Sequence, residues 1–266
     1  MVKGLYTAWS GMVNEMNRMD VMTNNLANAD TNGYKKEGAT STTFDEQLAV
    51  KIKDQSDMGL PVKLGGMYPG VKIGETYTDY SQGSFKVTDN QYDVALDGAG
   101  FFAISFTSKA GETSVKYTRD GAFTVNTQGY LVTKDGDYVL NQAGADNSDP
   151  GAENFIQLDP NLPFKIDELG YIWQDGVAVA QLGVIDFEDY NYLEKYGENM
   201  CQPVEGATLM EAEARVRQGY IEASNVNVVT EMVNMITITR AYESNQKVLQ
   251  TMNGMLDKAV NSVGRV

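Results

Sequence analysis

The side chains that carry most enzyme chemistry at neutral pH are nearly missing from this sequence, which has no histidine and one cysteine, Cys201. A Ser-His-Asp triad, a Cys-His pair, a histidine zinc site and the 2-His-1-carboxylate iron site are all excluded. A lone cysteine also rules out an intrachain disulfide. Carboxylates are what remain. Asp135-Gly136-Asp137 and Asp146-Asn147-Ser148-Asp149 cluster the oxygens that hard cations favour. Neither has the alternating spacing or the terminal glutamate of a calcium loop, so both read as acidic turns and no metal ligand is assigned. Gly98-Ala99-Gly100 is half of a dinucleotide fingerprint, but it lacks the third glycine and enters the strand-like Phe101-Phe102. It reads as a tight connection, with no cofactor. Two carboxylates would suffice for a glycosidase. No acidic residue stands in an apolar stretch that would raise its pKa, so no catalytic residue is assigned either. Asn24, Asn25, Asn28, Arg240 and Glu243 have two readings, solvated helix surface or hydrogen bonding between subunits.

The elements that would position such residues are helices at the two ends. Val228, Met235, Tyr242, Leu249, Leu256 and Val263 recur every seventh residue, and Met232, Thr239, Gln246, Asn253 and Val260 form a second column three residues before the last five. This is a 4,3 seam. One column is apolar throughout and the other mostly polar, so the helix is built to pack against something without forming a dry zipper. Residues 2–28 carry a second seam through Val2, Leu5, Trp9, Met12, Met16, Met19, Thr23 and Leu26. Gly4, Gly11 and Gly254 each cost about 1 kcal/mol in a helix interior, so the stability of both helices has to come from partners. The expectation is that the ends pair. The predicted assembly seam comprises Leu5, Trp9, Met12, Met16, Met19, Leu26, Met232, Met235, Tyr242, Leu249, Leu256 and Val263.

Between the ends the period changes. Residues 34–75 have weak periodicity and many Gly and Pro, and read as an extended connector with a short helix near Phe44–Lys53. From Thr76 the pattern is short β-rich runs separated by Asp-Gly and Gln-Gly turns, the last being a long strand over Val177–Phe187, with residues 188–224 mixed. The predicted fold class is α+β: a discontinuous, coiled-coil-like domain of paired terminal helices (1–33 and 225–266) and an inserted, mainly antiparallel β body (76–224). The formal net charge is −15, and residues 76–215, with 23 acidic and 8 basic side chains, account for all of it. That balance argues against nucleic-acid or anionic-membrane partners. No run approaches the ~20 apolar residues of a membrane span, and Ser10, Asn14, Glu15, Asn17 and Arg18 interrupt any signal-peptide core. The expectation is no membrane insertion and no cleaved signal.

Three stretches together resemble the flagellar basal-body rod and hook family of axial proteins, most closely its distal rod member or that member's close rod relative. Asn24-Asn25-Leu26-Ala27-Asn28 followed by Thr31-Asn32-Gly33-Tyr34-Lys35 is similar to the family's amino-terminal signature. Gly219-Tyr220-Ile221-Glu222-Ala223-Ser224-Asn225-Val226-Asn227, then Glu231, Met235-Ile236, Arg240-Ala241-Tyr242-Glu243, Asn245 and Lys247, is similar to its carboxyl-terminal one, and Asp93–Phe102 and Tyr117–Phe123 are similar to its body. The resemblance implies a non-enzymatic structural subunit of the rod, located in the basal body. Its partners would be copies of itself, neighbouring rod and hook proteins, and the flagellar type III export apparatus. It marks Asn24, Asn25, Leu26, Asn28, Gly33, Tyr34, Ser224, Asn225, Val226, Arg240, Tyr242 and Glu243 as motif residues. Beside it stand two other classes, a carboxylate-based cell-wall glycosidase associated with the basal body and a secreted carbohydrate-binding β module.

Overall fold

The change of period along the chain becomes a change of architecture. In the computed structural model, which describes residues 2–51, 62–109, 111–146, 151–160, 162–197 and 199–263, the chain divides into two units. One collects Met1–Ala27, Glu37–Thr78 and Asn227–Val266, and the other Asn28–Lys36 and Asp79–Val226.

In the first unit, α1 (Val2–Ala27) is followed by β1 (Glu37–Thr43), β2 (Gln47–Lys51), β3 (Val62–Met67) and β4 (Val71–Thr78). β1 pairs antiparallel with β4 and β2 with β3, each ladder with one register irregularity. The stretch read as an extended connector is thus largely built into ladders. In place of the short helix expected near Phe44–Lys53 stands β2, with residues 52 and 53 outside those described. The reason is tertiary: β3 offers its backbone to this segment, and a neighbouring ladder overrides weak helix propensity. α1 lies against β1 and β4 through small and polar side chains. Thr7 Oγ1 donates to Pro69 O at 2.9 Å, Asn14 Nδ2 donates to Ser41 Oγ at 3.0 Å, and Ser10 Oγ accepts from Val71 N at 3.4 Å. At the helix end Asn25 acts as a surrogate strand residue, with Nδ2 donating to Glu37 O at 2.7 Å and Oδ1 accepting from Glu37 N at 2.9 Å.

The second unit contains β5 (Phe85–Val87), β6 (Val94–Asp97), β7 (Phe101–Thr107), β8 (Thr113–Thr118), β9 (Thr124–Val125), β10 (Leu131–Val132), β11 (Tyr138–Val139) and the single turn α2 (Gln142–Ala145). It continues with β12 (Phe164–Ile166), β13 (Tyr171–Gln174), β14 (Val177–Gln181), β15 (Val184–Phe187), β16 (Leu193–Gly197), β17 (Met200–Pro203), β18 (Leu209–Glu211), β19 (Arg215–Gln218) and β20 (Tyr220–Glu222). The main sheet runs β16-β17-β8-β7-β11-β10-β9, with β15 also on β7 and β18 on β15; β12-β13-β14, β6-β19 and β5-β20 form smaller antiparallel sheets.

β7 organises the core because it is buried on both faces, which is why it reads as an unbroken apolar run. Phe102 and Ile104 point into one cluster with Phe123, Leu131 and Ile172, while Phe101 and Ala103 point into another with Tyr117, Leu140 and Phe187. Each buried phenylalanine contributes roughly 1.5–3 kcal/mol relative to exposure. The long strand expected over Val177–Phe187 divides at Leu182-Gly183, and its halves join different sheets. Gly183 donates its N–H to Leu140 O at 2.9 Å, and a Cβ there would lie 2.8 Å from Asn141 O. Asp135-Gly136-Asp137 is the turn between β10 and β11, with Gly136 at φ +98. Asp146 caps α2, and Asn147, Ser148 and Asp149 lie outside the described residues.

Candidate assembly interface

α3 (Val228–Lys258) begins at Asn227, whose side chain accepts from Thr230 N, and continues into a π-helical turn at Ala259–Val263. It runs antiparallel to α1. A Cβ on Gly4 would meet Met252 Cε at 2.7 Å and one on Gly11 would meet Asn245 Nδ2 at 3.1 Å, while Glu15, Arg18 and Met22 share a groove with Asn234, Thr237, Ile238 and Ala241. Equal steps along both helices carry this register on to Asn25 and Glu231, both with 0% exposure.

The predicted columns divide in the same way in each helix. Leu5, Met12, Met19 and Leu26 on α1, and Met235, Tyr242, Leu249 and Leu256 on α3, are half-buried. The second columns turn outward. Trp9 is 52% exposed, Met16 46% and Met232 48%, and the side chain of Val263 lies outside the described residues. The partner column actually used sits one residue away: Ala8, Glu15 and Met22 on α1, with Ile238, Asn245 and Met252 on α3. This column mixes sizes, from Ala8 to Met22, Ile238 and Met252, and the helices come close where Gly4 and Gly11 face Met252 and Asn245. Gly4 and Gly11, read from sequence only as a cost, are thus positions of close contact. A Glu15–Arg18 ion pair at 3.1 Å lies in the groove.

The motif residues Asn28, Gly33, Tyr34, Ser224, Asn225 and Val226 lie in the second unit. Gly33, at φ +65, donates its N–H to Glu222 O at 2.7 Å, and a Cβ there would lie 2.5 Å from the backbone of Arg119. Tyr34 is buried beneath Lys195 Nζ, which stands 4.5 Å from its ring centroid and donates to Lys35 O at 2.9 Å. Asn225 Oδ1 accepts from Lys36 N at 2.8 Å, while its Nδ2 donates to Asp79 O at 2.8 Å and Ser81 O at 3.2 Å. Ser224 and Val226 are buried beside it, and Thr31 N donates to Asn28 O at 3.2 Å in the turn after α1. Leu26 is half-buried, and Asn24, Arg240 and Glu243 are exposed. At the centre is a residue that the carboxyl-terminal signature contains but to which sequence reasoning gave no role of its own. Glu222, 0% exposed, accepts from Lys35 Nζ at 2.5 Å and Arg119 Nη1 at 3.3 Å. Burial lowers the Lys35 pKa and the Glu222 carboxylate opposes that shift. Glu222, Lys35 and Arg119 each stand in one of the three motif stretches, which was the signal, but by alternation about the buried Ile221 an acidic residue there reads as solvent-facing.

The two structures together define a class: a chain whose ends share one helical unit and whose middle is an antiparallel β body knotted at its root by buried charge. The chain belongs to the flagellar basal-body rod protein family. Residues 5–35 match the flagella basal body rod protein model, residues 95–184 the flagellar hook protein FlgE/F/G D1 domain, and residues 217–262 the flagellar basal body rod FlgEFG protein C-terminal model. It is similar to the flagellar basal-body rod protein FlgG of Buchnera aphidicola, at 32% identity over 97% of this chain and 98% of that one. FlgF of Caulobacter vibrioides is also 32% identical over the full length of both. The flagellar hook-basal body complex protein FlhO of Bacillus subtilis is 30% identical over the full length of both. The likeness to FlgG and FlgF proteins agrees with the expected rod members, and these relatives lend no support to the glycosidase or carbohydrate-module readings. Among the described residues no helix is long and apolar enough to cross a membrane.

Proposed function

We propose that this protein is a structural, non-enzymatic subunit of the flagellar basal-body rod that polymerises through its helical ends into a helical tube and transmits torque from motor to hook. Full-length similarity to rod proteins supports the reading. The observation that carries it is the face each terminal helix leaves uncovered. Tyr6, Trp9 and Met16 on α1, and Val229, Met232, Val233 and Ile236 on α3, are 46% to 72% exposed. Large apolar side chains concentrated on helices mark a surface that another molecule covers. In this reading α1 and α3 form a coiled-coil-like pair that serves as the assembly domain, with residues 76–224 as the body. The outward columns, including Gln246 and Asn253, meet copies of the chain and neighbouring rod and hook proteins. Motif residues Asn24, Arg240 and Glu243 supply hydrogen bonds between subunits. Helices that gain their stability from neighbours suit a subunit delivered through the export apparatus without signal cleavage, because ordering is then coupled to assembly.

The test is Leu249→Asp, which puts a charge into the packed column of α3. Complementing a deletion strain with this variant is expected to leave cells non-motile and without rods, while near-ultraviolet circular dichroism shows the β body folded as in the parent. Normal rods would remove the helical-assembly reading.

A further inference from the structure

The carboxylate of Glu222 is the meeting point of three segments far apart in sequence. Oε1 accepts from Lys35 Nζ at 2.5 Å and from Gly83 N at 2.8 Å, and Oε2 accepts from Arg119 Nη1 at 3.3 Å. Lys35 also donates to Ser81 O at 2.8 Å. Lys35, at 4% exposure, and Arg119, at 5%, are buried. Three residues on, Asn225 ties Lys36 to Asp79 and Ser81, and Asp79 N donates to Lys36 O at 2.8 Å. The chain passes from one unit to the other after residues 27, 36, 78 and 226. Three of those four exits, at Lys36, Asp79 and Val226, are thus held at one root inside the second unit.

Order of arrival gives this geometry a consequence. A chain is made from its amino terminus, so Lys35 and Arg119 are present long before Glu222. Closing the body without the carboxylate would bury two cations without the one acidic group that both engage, leaving Lys35 only the more distant charge of Asp79, and removing one partner of a buried pair costs far more than the pair is worth. β19 and β20, which deliver it, are also the strands that complete β6 and β5.

We propose that Glu222 is the closing latch of the body: the second unit reaches its final packing only when β20 docks the carboxylate between Lys35 and Arg119, and that docking fixes the root from which the exits leave. An incompletely delivered chain remains open, with its cationic pair hydrated, and only a complete one locks. The inference holds for the isolated chain and does not rest on the rod reading.

Full-length Glu222→Ala, Glu222→Gln, Lys35→Met and the Lys35→Met/Glu222→Ala double variant test it. All are built on Trp9→Phe so that Trp173 fluorescence reports the body during urea unfolding and refolding. Glu222→Ala is expected to lower the folding equilibrium constant on the order of a hundredfold or more, with Glu222→Gln losing less. Adding Lys35→Met to Glu222→Ala is expected to cost at least tenfold less than Lys35→Met alone, the signature of direct coupling. A latch that closes last also places the loss in the unfolding rate, leaving refolding within about twofold of the parent. Additive effects, a loss under threefold, or slowed refolding with unchanged unfolding would each overturn the proposal. Should Glu222→Ala fail to fold, Glu222→Gln and Lys35→Met carry the same kinetic comparison.

Discussion

Tyr117 shows how one residue links the body's core to its solution behaviour. Its ring lies edge-on to Phe187 at 5.0 Å and its O–H donates to Ala145 O at 3.0 Å. Burial, with the nearby Asp146 charge adding to it, pushes the phenol up to about 12 from its ordinary 10. The folded state therefore holds this proton more tightly than the unfolded state does. The associated stability is complete below pH 10 and is lost as pH rises through about 12. Tyr190, also pushed up to about 12 by burial and then by its bond to Asp186, acts in the same direction. The expected outcome is an unfolding free energy that declines between those pH values, measured by urea titration at each pH, and a shallower decline in Tyr117→Phe. An unchanged slope in that variant would show that the phenol ionises without unfolding the core. Gly33 makes the complementary point about backbone. Its left-handed φ and its contact with Arg119 leave no space for a side chain, so the glycine of the amino-terminal motif serves the root of the body.

At the scale of elements, what could be read in advance followed from periodicity, and what could not followed from neighbours. The terminal helices and β6 to β11 were legible because their 3.6- and 2-residue patterns are strong. β16 to β18 were not, because their exposed Glu194, Tyr196 and Leu209 blur the alternation. One predicted column of each helix is half-buried and the other turns outward, a difference of one residue that apolar heptad spacing does not resolve. The role of Glu222, a residue of the carboxyl-terminal signature, was not legible, since its partners lie 187 and 103 residues away in sequence. The close glycine contact is testable by itself. Gly11→Leu is expected to cost the helical unit about 1–3 kcal/mol by overpacking against Asn245. Hydrogen exchange should show faster exchange in α1 and α3 and unchanged protection in β7. Equal protection throughout would mean that the helices are not held at this contact.

The whole molecule divides its labour by composition. Residues 76–215 carry the entire net charge of −15, while the flanks hold 13 acidic and 13 basic side chains and the apolar exposed helix faces. Like-charged bodies repel in water and neutral helical faces do not, and this division of charge supports the proposed reading in which the ends associate and the middle faces water. The most direct measurement is thiol accessibility at Val233, which is 57% exposed on α3, in a motile strain carrying Val233→Cys. Cys201, the native thiol, is buried. The expected result is rapid maleimide labelling of Val233→Cys in the purified monomer and protection in intact basal bodies that contain the chain. Equal labelling in both, or basal bodies without the chain, would contradict the account.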